Sequence, residues 1–196
     1  MPYIAPIVEG HGEVEAVPAL LHRIAQGETP NITRRVNFPI RVKAGSFLND
    51  DAYFRKQIIL AAAKAAQANG FVLILLDCED ACPATRGPSI LSRAQAIRED
   101  VGYLVVLAYR EYESWFLAAA RSLRGIRGLP EDLEPPDRIE GVRNAKDWLG
   151  KRMAIPYDPV VHQLEFSRRF DLQQARANAS FNRFYDRIST TLATMP

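Results

Sequence analysis

This sequence has little cysteine, no long apolar run and no basic leader. Its two cysteines, Cys78 and Cys82, are too few for a disulfide framework, and a reducing compartment keeps such residues as thiols. The longest apolar runs, Phe71–Leu76 and Tyr103–Tyr109, fall far short of the ~18–20 residues that span a bilayer. Because Met1–Val8 contains no Lys or Arg, it is also unlike a signal peptide. We therefore expect a cytoplasmic protein with no membrane segment.

The sequence also has no large excess of positive or negative charge. The 196 residues contain 25 basic and 23 acidic side chains, which excludes a strongly basic nucleic-acid coat. The balance is uneven along the chain, because residues 143–196 hold nine basic and five acidic side chains, so a polyanionic partner stays open. With 47% hydrophobic and 24% charged residues, a chain of this length can bury the core of a single domain.

Short apolar runs alternate with longer helical patterns in the first two-thirds of the chain. This order predicts an α/β fold with a mostly parallel central sheet flanked by helices. The predicted strands are Tyr3–Val8, Val36–Lys43, Phe71–Leu76 and Tyr103–Ala108. Pro39 removes a ladder donor from the second strand, which should therefore lie at an edge, carry a bulge or be interrupted. The last two strands are apolar on both faces and should form the centre of the sheet.

The helical patterns give the domain organisation. The predicted helices of the sheet region are Val14–Gln26, Asp51–Ala68, Ser89–Val101 and Glu113–Arg124, with Ser89 as an N-cap. Beyond them Asp158 is predicted to cap a helix, and Asp171 with Gln174 to open the last one. We therefore expect an α/β core over residues 1–124, a proline-rich loop over 125–138, and a helical C-terminal extension over 139–196 that packs on the core in one domain.

Acidic residues follow the three best-defined strands. They are Glu9 and Glu13 after the first, Asp77, Glu79 and Asp80 after the third, and Glu111 and Glu113 after the fourth. Polar turn residues commonly end strands, and this explains any single one of these acids. Ligands of open parallel sheets, however, bind at the carboxyl ends of the strands, where all of these acids are predicted to lie. Carboxylates packed together repel one another and need a cation, and oxygen ligands favour Mg²⁺ or Mn²⁺ over zinc. The sequence therefore predicts a metal site with Glu9, Asp77 and Glu79 as the main ligands and with either Glu111 or Glu113 beside them.

Phosphate contacts are predicted at two further places. Gly10 and Gly12 flank His11, so the backbone there can approach a phosphate at the start of the next helix. This turn is no dinucleotide fingerprint, because Glu15 replaces the third glycine, and no P-loop lysine follows. Arg183 in the last helix is the second candidate, although a solvated helix face is the commoner explanation of such an arginine.

Two other features have simpler structural explanations. Cys78 and Cys82 could join His11 in a mixed zinc site, but two thiols at this spacing more commonly occupy turns or the core. Trp115 and Phe116 open a helix after a strand, where aromatic side chains wedge the helix against the sheet more often than they stack on a base. We expect neither pair to bind a ligand.

A glutamate in a glycine-containing turn after the first strand, followed by an acidic pair after a later strand, resembles the TOPRIM fold. Glu9 matches the glutamate, and Asp77 with Glu79 matches the pair, with Glu in place of the usual second Asp. The segments that resemble an uncharacterised bacterial family of TOPRIM-like proteins, known as a domain of unknown function, are residues 8–18 (VEGHGEVEAVP, with the EGHGE motif), Asp77-x-Glu79-Asp80, residues 113–118 (ESWFLA) and Ser180-Phe181.

The resemblance implies Mg²⁺-dependent phosphoryl chemistry on nucleic acid, with Glu9 as general acid or base and with Asp77 and Glu79 as metal ligands. The chain is too short for a topoisomerase or a primase, so a nuclease or phosphohydrolase is the expected enzyme class. Because related nucleases carry ATPase domains, the resemblance also implies an ATPase partner, in phage or mobile-element defence. The alternatives are a non-catalytic module that binds a nucleotide or a protein through the same acids, and a metal-independent regulatory protein.

Overall fold

The computed structural model describes residues 3–28, 35–80 and 82–194. The strands are β1 Tyr3–Val8, β2 Arg35–Val36, β3 Ile40–Arg41, β4 Phe71–Asp77 and β5 Gly102–Ala108. The helices are α1 Glu13–Glu28, α2 Ala44–Asn49, α3 Asp51–Ala66, α4 Pro83–Ile97, α5 Ser114–Ala118, α6 Ala145–Gly150, α7 Pro159–Arg169, α8 Leu172–Ala175 and α9 Ala179–Thr194. Short 3₁₀ turns occupy Ala120–Leu123, Ile126–Gly128 and Ile139–Gly141.

The strands form one sheet in the order β2-β1-β4-β5, with β3 also paired to β1. Among the described strands β4 lies inside the sheet, but β5 is an edge strand, so the prediction that β5 lies at the centre is wrong. Helices pack on both faces of β5, and this explains its apolar sequence. Every pairing is parallel, which confirms the predicted fold class and brings the carboxyl ends of the strands to one edge. The predicted edge strand is interrupted at Pro39: β2 and β3 lie before and after it, and both pair with β1. Since proline has no N–H to donate to the ladder, the interruption at this residue is expected.

Helices cover both faces of the sheet. Helices α2, α3 and α4 bury one apolar cluster, with Phe47 and Phe54 among its largest side chains. The other face packs against α1, α5 and the helices of residues 139–194, which share a second cluster around Trp115. No helix within the described ranges is long and apolar enough to cross a membrane.

Several helix boundaries differ from the predictions. Helix α4 begins at Pro83, so Ser89 lies inside it, because proline suits the first helical turn, where its missing N–H costs nothing. The helix predicted over Glu113–Arg124 ends as an α-helix at Ala118 and continues as a 3₁₀ turn. Asp171 caps only the short α8, accepting hydrogen bonds from Gln173 and Gln174.

The last helix is anchored by a buried polar network at its start. Ser180 Oγ accepts hydrogen bonds from the Tyr109 N–H at 3.0 Å and the Trp115 indole N–H at 2.9 Å, and it donates to Asn178 Oδ1 at 2.7 Å. Asn178 Oδ1 also accepts from the N–H of Phe181 at 3.1 Å. The network joins α9 to the end of β5, and the aromatic rings of Trp115 and Phe181 pack edge to face beside it.

Replacing this hydroxyl should destabilise the fold. Ser180→Ala leaves the N–H groups of Tyr109 and Trp115 buried without an acceptor, so we expect the free energy of unfolding to fall by about 2 kcal/mol in urea denaturation. Ser189→Ala is the matched control, because Ser189 lies in the same helix and its buried Oγ has no partner among the described residues. The control should change stability by less than about 0.5 kcal/mol. Equal losses in both variants would contradict the role of the network.

Candidate functional site

Glu9 and Asp77 lie side by side at the carboxyl edge of the sheet. They follow or end the neighbouring strands β1 and β4, and Glu9 Oε2 accepts a hydrogen bond from the Asp77 N–H at 3.3 Å. A second hydrogen bond fixes the carboxylate of Asp77, because its Oδ1 accepts from the Tyr112 N–H at 2.8 Å. The structure thus brings together two of the three residues predicted as the main metal ligands.

The glycine turn after β1 packs inward. Glu13 folds back over this turn, and its Oε2 accepts a hydrogen bond from the Glu9 N–H at 3.2 Å. A Cβ at Gly10 would meet Glu13 Oε1 at 2.8 Å, so the turn needs glycine for this contact. Gly12 is buried against Pro159 and Gln163 of α7. Both predicted phosphate-binding glycines therefore make close contacts within the protein.

Residues of the C-terminal region hold Glu111 and Glu113. Glu111 Oε2 accepts hydrogen bonds from the backbone N–H groups at the start of α6, at 2.7 Å from Ala145 and 3.2 Å from Lys146. Glu113 is fully buried, and its Oε1 accepts from the Tyr157 hydroxyl at 3.0 Å and from Gln163 Nε2 at 2.7 Å. Their orientation thus depends on residues far along the chain.

Lys146 lies among these carboxylates. Its Nζ is 3.2 Å from Glu113 Oε2, 3.4 Å from Glu111 Oε1 and 3.9 Å from Asp77 Oδ2. We call Glu9, Glu13, Asp77, Glu111 and Glu113 the acidic cluster. Lys146 is its cationic partner.

The electrostatics of the acidic cluster reflect burial and crowding. Burial, followed by the charges of Glu13 and Glu113, raises the pKa of Asp77 well above its ordinary value. Burial and Glu113 raise the pKa of Glu13 from its ordinary 4.5 to about 7. Burial alone would lower the pKa of Lys146, but Glu113, Asp77 and Glu111 outweigh it and raise that pKa. One lysine therefore partly offsets the repulsion among several buried acids.

Glu79 and Asp80 lie at the exposed rim of the site. Glu79 has a positive φ of 49°, in the left-handed region that non-glycine residues rarely adopt, and its N–H donates to the Arg110 carbonyl at 3.1 Å. Asp80 is 80% exposed and pairs with Arg110 Nη1 at 3.1 Å. Glu79 still acts on the cluster, since its charge contributes to raising the pKa of Glu9, after the larger effect of burial.

The remaining candidate residues lie elsewhere. Arg183 lines a cavity of about 240 Å³ between α4, β5 and α9, together with Arg187. Cys78 and Cys82 are free thiols, the first buried, with its Sγ accepting the Arg110 N–H at 3.2 Å, and the second exposed at the start of α4.

Sequence reasoning missed four residues of the site: Tyr112, Lys146, Tyr157 and Gln163. Tyr112 contributes its backbone N–H, which no pattern of side chains reveals. The other three lie 33 to 50 residues beyond Glu113, in helices and turns whose position on the sheet cannot be read from periodicity. Only the excess of basic residues after residue 143 hinted at a positive group in this region.

The acidic cluster has suitable donor atoms for a metal ion, but its side chains are not arranged around one. The donors are carboxylate oxygens, the ligands that Mg²⁺ and Mn²⁺ prefer. In residues 3–28, 35–80 and 82–194, however, no group of three or more His, Cys, Asp or Glu side chains is arranged to hold a metal ion. Lys146 Nζ stands at the point that three of the carboxylates face, so the donor chemistry fits a divalent ion and the arrangement of the side chains fits a lysine.

The raised pKa of Glu13 predicts a pH-dependent stability. Unfolded Glu13 ionises near 4.5 and the folded residue near 7, so the folded state retains a proton between these values and loses stability as the pH rises through them. The cost at pH 8 is on the order of 3 kcal/mol. In urea titrations with EDTA, Glu13→Gln should be the more stable protein at pH 8 and should lose less stability between pH 5 and pH 8. If the free energy of unfolding changes with pH in the same way in the wild type and in Glu13→Gln, Glu13 is not the group responsible for the pH dependence.

Residues 8–189 match the family model described as "Domain of unknown function (DUF4276)". The chain belongs to the DUF4276 family. The matched range includes the whole acidic cluster, Lys146 and the network of Ser180, so the DUF4276 region comprises both the sheet edge and the helices that complete it. Comparison with curated proteins and with solved structures gave no match.

Proposed function

We propose that this DUF4276 protein is a Mg²⁺- or Mn²⁺-dependent phosphodiesterase of the TOPRIM type that cleaves nucleic acid. The observation that carries the proposal is the convergence of Glu9, Asp77 and Glu113, from the ends of three strands, at one edge of the sheet. Glu9 in the first turn, and Asp77 with Glu79 after a central strand, have the order that the TOPRIM resemblance requires.

The residues divide into two roles in this proposal. Asp77 and Glu79, with oxygens of Glu111 and Glu113, would hold the metal ion, which when bound polarises a phosphodiester oxygen and lowers the pKa of a coordinated water. Glu9 would transfer the proton. Its carboxyl group is half-buried beside Asp77, and burial raises its pKa, which makes it a better proton acceptor than a solvated glutamate.

Two cavities beside the acidic cluster support a polyanionic substrate. One has a volume of about 710 Å³ and is lined by Glu111, Lys146 and Lys151 among others. The second, of about 240 Å³, is lined by Glu111, Arg110 and Arg143 among others. Glu111 borders both, so basic side chains line the cavities that adjoin the carboxylates, with Arg110 paired to Asp80 and Lys151 paired to Asp147. A phosphodiester chain that followed these cavities would meet basic side chains beside the proposed cleavage point.

The test is a cleavage assay on single- and double-stranded DNA and RNA. Purified protein should cleave at least one of these substrates with Mg²⁺ or Mn²⁺ and none in EDTA, alone or with an ATPase encoded beside it. Absence of cleavage under all of these conditions would reject the enzymatic proposal.

A second candidate function is favoured by Lys146. Lys146 neutralises part of the cluster without a metal ion, so the alternative is a non-catalytic module that binds a nucleotide or a protein and works with an ATPase. Binding of these ligands without any turnover in the same assay would favour this alternative.

A further inference from the structure

Each of three carboxylates in the acidic cluster has one oxygen held by hydrogen bonds. The second oxygen of each faces the same atom, Lys146 Nζ. Asp77 Oδ1, Glu111 Oε2 and Glu113 Oε1 accept the hydrogen bonds described above. Their second oxygens, Asp77 Oδ2, Glu111 Oε1 and Glu113 Oε2, all lie within 4 Å of Lys146 Nζ. Such an arrangement is a cation site fitted to an ammonium group, because the hydrogen bonds to the first oxygens orient the second oxygens toward Nζ.

One of these oxygens has no other partner. Glu113 is fully buried, and its Oε2 makes no hydrogen bond with any described residue. An ionised oxygen in such surroundings depends on a nearby cation, because burial without a partner costs several kcal/mol. The closest positive charge to it is Lys146 Nζ at 3.2 Å.

The distances are those of an ammonium group. Mg²⁺ needs its oxygens at ~2.1 Å, and the oxygens around Lys146 Nζ lie at 3.2 to 3.9 Å. A divalent ion can therefore bind here only if the three oxygens draw inward by about 1 Å or more and Nζ leaves the space between them.

Lys146 has room to leave. It is the second residue of α6, its side chain is 37% exposed, and it borders the 710 Å³ cavity beside the cluster. Lysine has a flexible four-carbon stem, so rotation about its side-chain bonds can move the ammonium into this cavity without shifting the helix.

We infer that Lys146 is an intramolecular counter-ion that competes with a divalent metal ion for the same oxygens of Asp77, Glu111 and Glu113. Metal binding then requires Lys146 to move into the neighbouring cavity, and its ammonium group weakens the apparent metal affinity. The inference rests on the proposed function in one respect, since that function requires the metal.

The first test is the metal affinity of Lys146→Met, which keeps most of the apolar stem and removes the charge. Calorimetric titration with Mn²⁺ should give a dissociation constant at least ~10-fold lower than that of the wild type. Lys151→Met is the matched control: Lys151 borders the same cavity, but its ion pair is with Asp147, outside the cluster. The control should bind Mn²⁺ with wild-type affinity. Equal or weaker binding by Lys146→Met would overturn the inference.

The second test uses the wild-type protein and does not depend on how the variant folds. A lysine-directed acylating reagent should label Lys146 faster when Mn²⁺ is bound than in EDTA, while the labelling of Lys151, quantified in the same digest by mass spectrometry, should not change. Unchanged labelling of Lys146 at saturating Mn²⁺ would overturn displacement. If neither the wild type nor Lys146→Met binds Mn²⁺, the metal-dependent function proposed above is overturned together with this inference. If both proteins bind Mn²⁺ with equal affinity, only the competition between Lys146 and the metal ion is overturned.

Discussion

Glu9→Gln should lower the rate of phosphodiester cleavage by ~10²–10⁴-fold, the usual contribution of general acid–base catalysis. The amide cannot act as a general acid or base at neutral pH, but its oxygen can still accept the hydrogen bond from the Asp77 N–H. The fold and the position of Asp77 should therefore survive. The measurement is kcat on the best substrate found for the wild type, with Mg²⁺ or Mn²⁺ at saturation.

Glu15→Gln is the matched control for this loss of charge. Glu15 is exposed in the first turn of α1, so its variant should cleave at the wild-type rate. Mn²⁺ affinity should change far less than the rate in Glu9→Gln, because Glu9 is one carboxylate among several at this edge. If Glu9→Gln and wild type cleave equally fast, the protein remains a nuclease and Glu9 has no part in proton transfer.

Gly12→Ala should destabilise the protein by about 3 kcal/mol, at the upper end of the range typical of overpacking. The added Cβ would lie 2.8 Å from the carbonyl carbon of Pro159 and closer still to the oxygen of that carbonyl and to Gln163 Oε1. A backbone carbonyl cannot rotate away as a side chain can, so the start of α7 must move. Urea denaturation should show a lower midpoint with little change in slope.

Gly27→Ala gives the contrast in the helix that follows Gly12. Among the described residues a Cβ at Gly27 would meet nothing within 4 Å, so the alanine should gain helix propensity and stabilise the protein by about 0.5–1 kcal/mol. Equal stability of Gly12→Ala and wild type would mean that the turn and α7 are not packed as described.

The fold could be predicted where the local pattern and the tertiary environment agree. The run Phe71–Leu76 is apolar on both faces and lies inside the sheet, as predicted. The run Tyr103–Ala108 has the same pattern but lies at an edge, because helices on both faces make a strand apolar wherever it stands in the strand order. Pro39 marked the interruption of the edge because the lack of an N–H is a local property. Predictions failed at helix ends such as Ser89, where a good capping residue lies inside a helix that had already started at a proline.

The site could be predicted only where it follows from strand direction. Parallel strands bring their carboxyl ends together, so Glu9 and Asp77 were expected at one edge, and the structure joins them by a hydrogen bond. The position of Lys146 depends on where α6 docks, which is decided by packing over long sequence separations. No periodicity or spacing encodes that docking.

The contacts of Glu113 are with residues 33 to 50 positions later in the chain, and this has a consequence for folding during translation. A nascent chain leaves the ribosome from its N-terminus, so the carboxylates through Glu113 emerge before Lys146, Tyr157 and Gln163 exist to meet them. Until then the edge of the sheet lacks the ammonium group and the hydrogen-bond donors that face Glu113, so burying this carboxylate early is unfavourable. The acidic edge therefore reaches its final form late in translation, when the helices that neutralise it have emerged.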